Sequence, residues 1–257
     1  MKKLHFLYRM KLEFDCPVAE HYYVLRFAPK SDSVQKIMVE HCQVDPAEGS
    51  AWQLDGFGNQ LFVGNIRREH DHFSYEISGT ARVNRKAQEP EKLNPVFRHE
   101  SPLTKADEPI RNFYEKICPS EDDVSQRAVS MMHSLYENFS YVPGSTGIQT
   151  TAAQAWENKR GVCQDYAHVL ISLCRLDGIP ARYVAGLMLG EGASHAWTEV
   201  YADGRWVALD PTNNQLVNDD YIKIAHGRDY ADCAVDRGIF RGSALQTQNV
   251  YVKVEEL

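Results

Sequence analysis

The six cysteines of this 257-residue chain are scattered, and no two of them form a C-x-x-C pair. No uninterrupted apolar segment is long enough to cross a bilayer. Two early lysines, Lys2 and Lys3, resemble the start of an export signal. However, Arg9, Lys11, Glu13 and Asp15 break up the apolar stretch that export would need. Long runs of one charge are also missing. The net charge of −7, from 28 basic and 35 acidic residues, argues against a dedicated nucleic-acid or anionic-membrane surface. No internal repeat or low-complexity tract is present. These absences lead us to expect a cytoplasmic protein with no nucleic-acid or membrane partner. In a reducing compartment Cys16, Cys42, Cys118, Cys163, Cys174 and Cys233 are then expected to be free thiols, most of them buried as small apolar residues.

What is present suffices for an ordinary globular core, with 43% hydrophobic and 25% charged residues. Leu4, Phe6, Tyr8, Met10, Leu12 and Phe14 alternate with mostly polar neighbours, the period of a half-buried strand. Further strands are expected at 22–27, 34–44, 60–67 and 73–83, separated by turn signals such as Asp45-Pro46 and Gly56-Phe57-Gly58-Asn59. This spacing suggests a β-sandwich-like domain over residues 1–84. Four prolines among charged residues mark 85–110 as a linker. The remainder, 111–257, forms the second expected domain.

Helical periodicity takes over beyond the linker. Asp122 or Asp123 caps an expected helix whose stripe is Val124, Ala128, Met131, Met132, Leu135 and Phe139. A loop at 141–147 follows, then a short helix from Thr150 or Thr151 through Trp156. The next helix begins near Cys163, buries Ala167, Leu170, Ile171 and Cys174, and stops at Gly178 before Pro180. Strands are expected at 182–189, 195–202, 205–210 and 250–254. Helices followed by strands make this half α+β.

Three residues stand at the edges of these elements in an order that suits thiol chemistry. Cys163 opens a helix, where unpaired N–H groups and the positive end of the macrodipole favour a thiolate. Asp203-Gly204 is a strong two-residue hairpin signal. If it is the turn, paired residue numbers sum to 407. His195 and Asp210 then share a face as diagonal neighbours, roughly 7–8 Å apart between Cα atoms. A three-residue loop or a bulge would reverse that parity. In this arrangement Asp210 orients the imidazole while His195 exchanges a proton with Cys163. A metal reading fails on spacing, since Cys163 with His168 or Cys174 matches no structural zinc pattern. Cofactors and metals are therefore not expected.

Four ordered blocks carry a family resemblance: Gly161-Val162-Cys163-Gln164-Asp165-Tyr166-Ala167, residues Gly178 to Gly186, His195-Ala196-Trp197-Thr198-Glu199-Val200, and Trp206 to Thr212. Together they resemble the transglutaminase-like superfamily of papain-type thiol enzymes over residues 110–257. The first 84 residues resemble the β-domain that precedes this core in many bacterial members. Arylamine N-acetyltransferases share the triad, but Arg160-Gly161-Val162-Cys163 lacks the double glycine of their signature.

The resemblance implies a papain-like α+β core with Cys163 as nucleophile, His195 as base and acid, and Asp210 as orienting carboxylate. It also implies a thioester route on a peptide or protein amide, with water or an amine as acceptor. The cytoplasmic reading and the lack of a visible pro-segment favour water. A non-catalytic binding protein is the reading from another class. For the oxyanion, the Cys163 N–H is the natural first donor, with Tyr141, or else Gln149, as the second. An Asp165–Arg182 ion pair is considered beside the site, against a first-turn role for Asp165. Specificity is expected in loops 141–149 and 189–194. Gly227-Arg228-Asp229-Tyr230 resembles a segment of bacterial relatives and has no role apparent from sequence.

Overall fold

The computed structural model describes residues 1–117 and 119–257. The expected thiol of Cys118 lies outside these residues. Strand β1 runs unbroken from Lys2–Leu25, so the two strands expected at 4–14 and 22–27 are one. Leu4, Phe6, Tyr8 and Met10 face the core, as their alternation requires. β1 is followed by β2 (Gln35–Asp45), β3 (Ala51–Leu54), β4 (Gln60–Ile66) and β5 (His70–Val83). The first half of β1 pairs with β5, and its second half pairs with β4. Pairing slips between Glu13 and Val18, which lets one strand pass from one layer of the curled antiparallel sheet to the other. This curl produces the sandwich-like character read from the sequence.

The connection beyond residue 84 contains short 3₁₀ turns and then α1 (Glu108–Ile117), a helix absent from the expected elements. Pro109 near its start was the available signal. α2 (Val124–Asn138) is capped by the Asp123 side chain, and it buries Ala128, Met131, Met132 and Leu135. β6 (Ser140–Tyr141) precedes α3 (Ala152–Asn158), which starts in a Thr151–Gln154 capping box. β7 (Arg160–Gly161) pairs in parallel with β6 and leads into α4 (Cys163–Leu176). Every residue of α4 from Asp165 to Arg175 is buried, making it the central helix of this half. Gly178 ends it at φ +75.

A five-stranded sheet packs on α4. It comprises β8 (Ala181–Met188), β10 (His195–Ala202), β11 (Arg205–Asp210), β12 (Gln215–Leu216) and β13 (Tyr221–Gly227), in the order β12-β11-β10-β8-β13. Between β8 and β10 lies β9 (Gly190–Gly192), and α5 (Tyr230–Cys233) follows β13. The chain then leaves this sheet. β14 (Asp236–Arg241) and β15 (Gln246–Glu256) both pair with β1. β9 joins the same sheet through β15. Residues 236–256 were expected in the second domain. They belong to the first sheet instead, because β1 has an open edge on each half that they complete.

Burial also corrects the cysteine reading. Cys174 and Cys233 are buried, Cys163 is half-buried, and Cys16 and Cys42 are exposed on the long strands, all as free thiols.

Candidate active site

The hairpin joining β10 and β11 has the expected register, from Ala202↔Arg205 to Thr198↔Leu209. Asp203 and Gly204 both adopt positive φ (49° and 78°), the geometry of a tight two-residue turn. Extending this register puts His195, Trp197 and Glu199 of β10 on one face with Asp210 of β11. The His195 Nε2 lies 2.7 Å from Asp210 Oδ2. Because Nε2 is taken by the carboxylate, Nδ1 is the nitrogen left for a proton exchange. The Cys163 side chain lies close enough to the imidazole to favour its charged form. The structure therefore brings Cys163, His195 and Asp210 together.

Burial opposes charge on the imidazole, but the Asp210 bond and the nearby Cys163 side chain outweigh it and push His195 up to about 10. Asp210 is fully buried. Burial alone would raise its pKa, yet the bonds from His195, Asn213 and Tyr221 hold it below the usual carboxylate range. The same carboxylate accepts bonds from the Thr212 and Asn213 backbone N–H groups at 3.0 and 3.3 Å. Asp210 is thus held ionised and oriented.

Local packing explains how Cys163 is delivered. The Asp165 side chain turns back to accept a 2.8 Å bond from the Val162 N–H, capping the first turn of α4. A Cβ on Gly161 would lie 2.5 Å from the Asp165 side chain, so only glycine fits there. Asp165 also accepts from Thr146 at 2.6 Å, which ties the preceding loop to the cysteine turn. The Asp165–Arg182 ion pair does not form. Asp165 is spent on the helix turn, and Arg182 pairs with Glu199 and Glu91.

Residues 111–211 match the transglutaminase-like superfamily core, and residues 4–82 match the bacterial transglutaminase-like N-terminal region. The chain belongs to the transglutaminase-like superfamily. A crystal structure from Cytophaga hutchinsonii, described as a candidate cysteine protease, superposes with a TM-score of 0.82 at 26% identity. It covers 100% of this chain and 91% of that one. An uncharacterised Mycobacterium leprae protein is 28% identical over 273 residues, 95% of each chain. A protein-glutamine gamma-glutamyltransferase of Pseudomonas aeruginosa is 30% identical over 92 residues. That match spans 30% of this chain and 14% of the relative.

Within this transglutaminase-like core, two partners of Asp210 escaped the sequence reading. Tyr221 of β13 donates its hydroxyl to Asp210 Oδ2 at 2.7 Å, and Asn213 Nδ2 reaches the same oxygen at 2.7 Å. Gln215 in turn donates to the Tyr221 oxygen at 2.8 Å. Burial, then the Asp210 charge, raises the Tyr221 pKa, so the phenol remains a donor. Asn213 had a local signal, lying three residues after an aspartate in a turn. Tyr221 had none, because only the sheet order brings β13 near β11.

Tyr141 is half-exposed on β6, whose partner Gly161 lies two residues before Cys163. Burial and the charge of Cys163 raise its pKa, which puts the phenol within electrostatic range of the thiol. Gln149 is exposed on the loop. The Gly227–Tyr230 segment acquires a structural role here. Asp229 caps α5, and the Tyr230 N–H donates to Nε2 of the fully buried His168 on α4 at 3.0 Å. Among the described residues no helix is long and apolar enough to cross a membrane.

Proposed function

We propose that this protein is a cysteine-dependent acyl transferase acting on a peptide or protein amide, with water as the usual acceptor. The observation that carries this reading is His195, hydrogen-bonded to buried, ionised Asp210 and close to the Cys163 side chain at the start of α4. With His195 already holding the proton at neutral pH, the Cys163 sulfur attacks the amide carbon. His195 then protonates the departing amine, leaving a thioester on Cys163. The same imidazole next takes a proton from water, which cleaves the thioester and releases the acid. Asp210 fixes the ring and stabilises its charged form throughout.

The oxyanion formed in each half-reaction needs donors. The Cys163 N–H stands at the first position of α4, where no intrahelical acceptor exists for it. Tyr141 is our candidate for the second donor, on the strength of its position beside Gly161. The substrate runs over the loops at 141–149 and 189–194.

The description of the Cytophaga hutchinsonii neighbour supports hydrolysis, since that likeness spans the whole chain. The Pseudomonas aeruginosa relative supports a second reading, transfer of a glutamine acyl group to an amine, over a shorter segment. Both use the same thioester. We also propose a cytoplasmic location, which cell fractionation would test.

One comparison tests the reaction class. Wild type and Cys163→Ala are incubated with glutamine-containing and other amide peptides, with and without a primary amine, and followed by mass spectrometry. Cleavage or ammonia release that depends on Cys163 supports hydrolysis, whereas amine incorporation supports transamidation. No Cys163-dependent product over a broad panel would leave a non-catalytic binding protein as the better reading.

A further inference from the structure

On the same sheet face as His195, at the opposite end of β10, lies a cavity of about 170 Å³ that the proposed reaction does not use. It opens between loops of the first sheet near Lys30 and Gly58, the connection around Arg85 and Glu91, and strands β8, β10 and β13. Trp197, fully buried, separates it from the candidate active site.

The charges lining the cavity are sorted by depth. Buried Arg182 and half-buried Lys223 and Arg85 line it, with one buried carboxylate, Glu199. Arg182 Nε and Lys223 Nζ bond the same Glu199 oxygen, at 2.6 and 2.9 Å. The Arg85 side chain bonds only backbone carbonyls there, Asn218 at 2.8 Å and Tyr221 at 3.4 Å. His226 lines the same cavity, and burial with the Lys223 and Arg182 charges holds its pKa down, so it stays neutral and adds no fourth cation. The remaining carboxylates, Asp32, Glu89 and Glu91, are exposed at the rim with Lys30. Glu91 adds a second negative charge by reaching inward to Arg182 Nη1 at 2.9 Å, although its side chain is 51% exposed. Three cations against one buried carboxylate is an expensive arrangement to leave dry. A mobile surface glutamate is a replaceable counter-ion.

We propose that this cavity is a second ligand site, for a small molecule that leads with a carboxylate or phosphate group. That group displaces Glu91 from Arg182 and engages Arg85 and Lys223, and the rest of the ligand extends past Val34 and Phe57 to the mouth. Oxyanions suit guanidinium forks for the same reason that Arg–carboxylate pairs are bidentate.

Calorimetric titration of the full chain, separately with inorganic phosphate and with glutarate, tests the site. At least one is expected to bind saturably, and the one that binds tells which head group the site takes. Lys223→Gln should weaken that binding at least about tenfold, a loss of about 1.4 kcal/mol. Lys30→Gln, an exposed rim change with little risk to folding, should weaken it by a smaller factor. Binding should persist in Cys163→Ala, which separates this site from the one at His195. The proposal is overturned if neither anion binds up to about 10 mM, a concentration weaker than any useful small-ligand affinity. It is equally overturned if both lysine variants bind as wild type does, or if Cys163→Ala abolishes binding.

Discussion

Asp210 and Glu199 are buried carboxylates on one face of the same sheet, yet they are surrounded by different kinds of partner. Asp210 faces one group that can carry a positive charge, His195, and four donors that never do: Tyr221, the Asn213 amide, and two backbone N–H groups. Glu199 faces Arg182 and Lys223, cations that hold its pKa well below the usual carboxylate range against the effect of burial. The first arrangement fixes a carboxylate without neutralising it, so its charge remains available to an imidazolium. The second cancels the charge permanently. A buried carboxylate supports proton transfer when its other bonds come from neutral groups, and it becomes a structural post when they come from cations.

The sharpest way to break this comparison is to remove each charge in turn. Asp210→Asn should lower kcat by on the order of 10⁴-fold, the loss expected when an orienting carboxylate becomes an amide. Its melting temperature should fall less than that of Glu199→Gln. The latter strands Arg182 and Lys223 and should cost about 3–5 kcal/mol, or roughly 10 °C or more in Tm, with kcat changed far less. Equal losses of rate in the two variants would mean the two ends of the sheet are not functionally distinct.

pH supplies the next test. The folded pKa of His195, about 10, lies above its ordinary 6.5. The stabilisation from its charged form is therefore complete below about pH 6.5 and is lost as pH rises through 10. The difference in Tm between wild type and His195→Gln should shrink over that window. Asp210→Asn removes a cause of the upward shift, so the alkaline limb of its pH–rate profile should move to lower pH. Parallel Tm profiles, or an unmoved limb, would dissociate Asp210 from the imidazole charge. Tyr221→Phe has the smallest expected effect. It removes one of five bonds to Asp210, which should cost about 1 kcal/mol and up to tenfold in kcat. A full loss of activity in this variant would assign Tyr221 a direct role in the chemistry.

The contrast between Asp210 and Glu199 also explains what was legible in the sequence. His195 and Asp210 flank a two-residue turn, so counting residues across Asp203-Gly204 was enough to place them together. Cys163 was visible from its helix start, and the α+β class from the change of periodicity. Tyr221 and the Arg182–Glu199–Lys223 cluster depend on which strand lies beside which, and strand order is not a local property. The ion pair considered for Asp165 failed for a related reason. A first-turn carboxylate has a backbone partner three residues away, and that bond forms before any distant guanidinium can compete. The last strands were misassigned because their alternation shows that they pair but not with whom.

Leu4 pairs with Glu256, so the first strand of the chain is finished by residues made some 250 positions later. The helix and sheet that carry Cys163, His195 and Asp210 are inserted between the two parts of the first sheet. During synthesis from N- to C-terminus, β1 emerges early and must wait with an open edge until β15 leaves the ribosome. β9, just before His195, rests on β15 and therefore takes its place last. A nascent chain thus holds its cysteine helix before β9, the approach to His195, is in place, and that approach is fixed only once β15 has emerged.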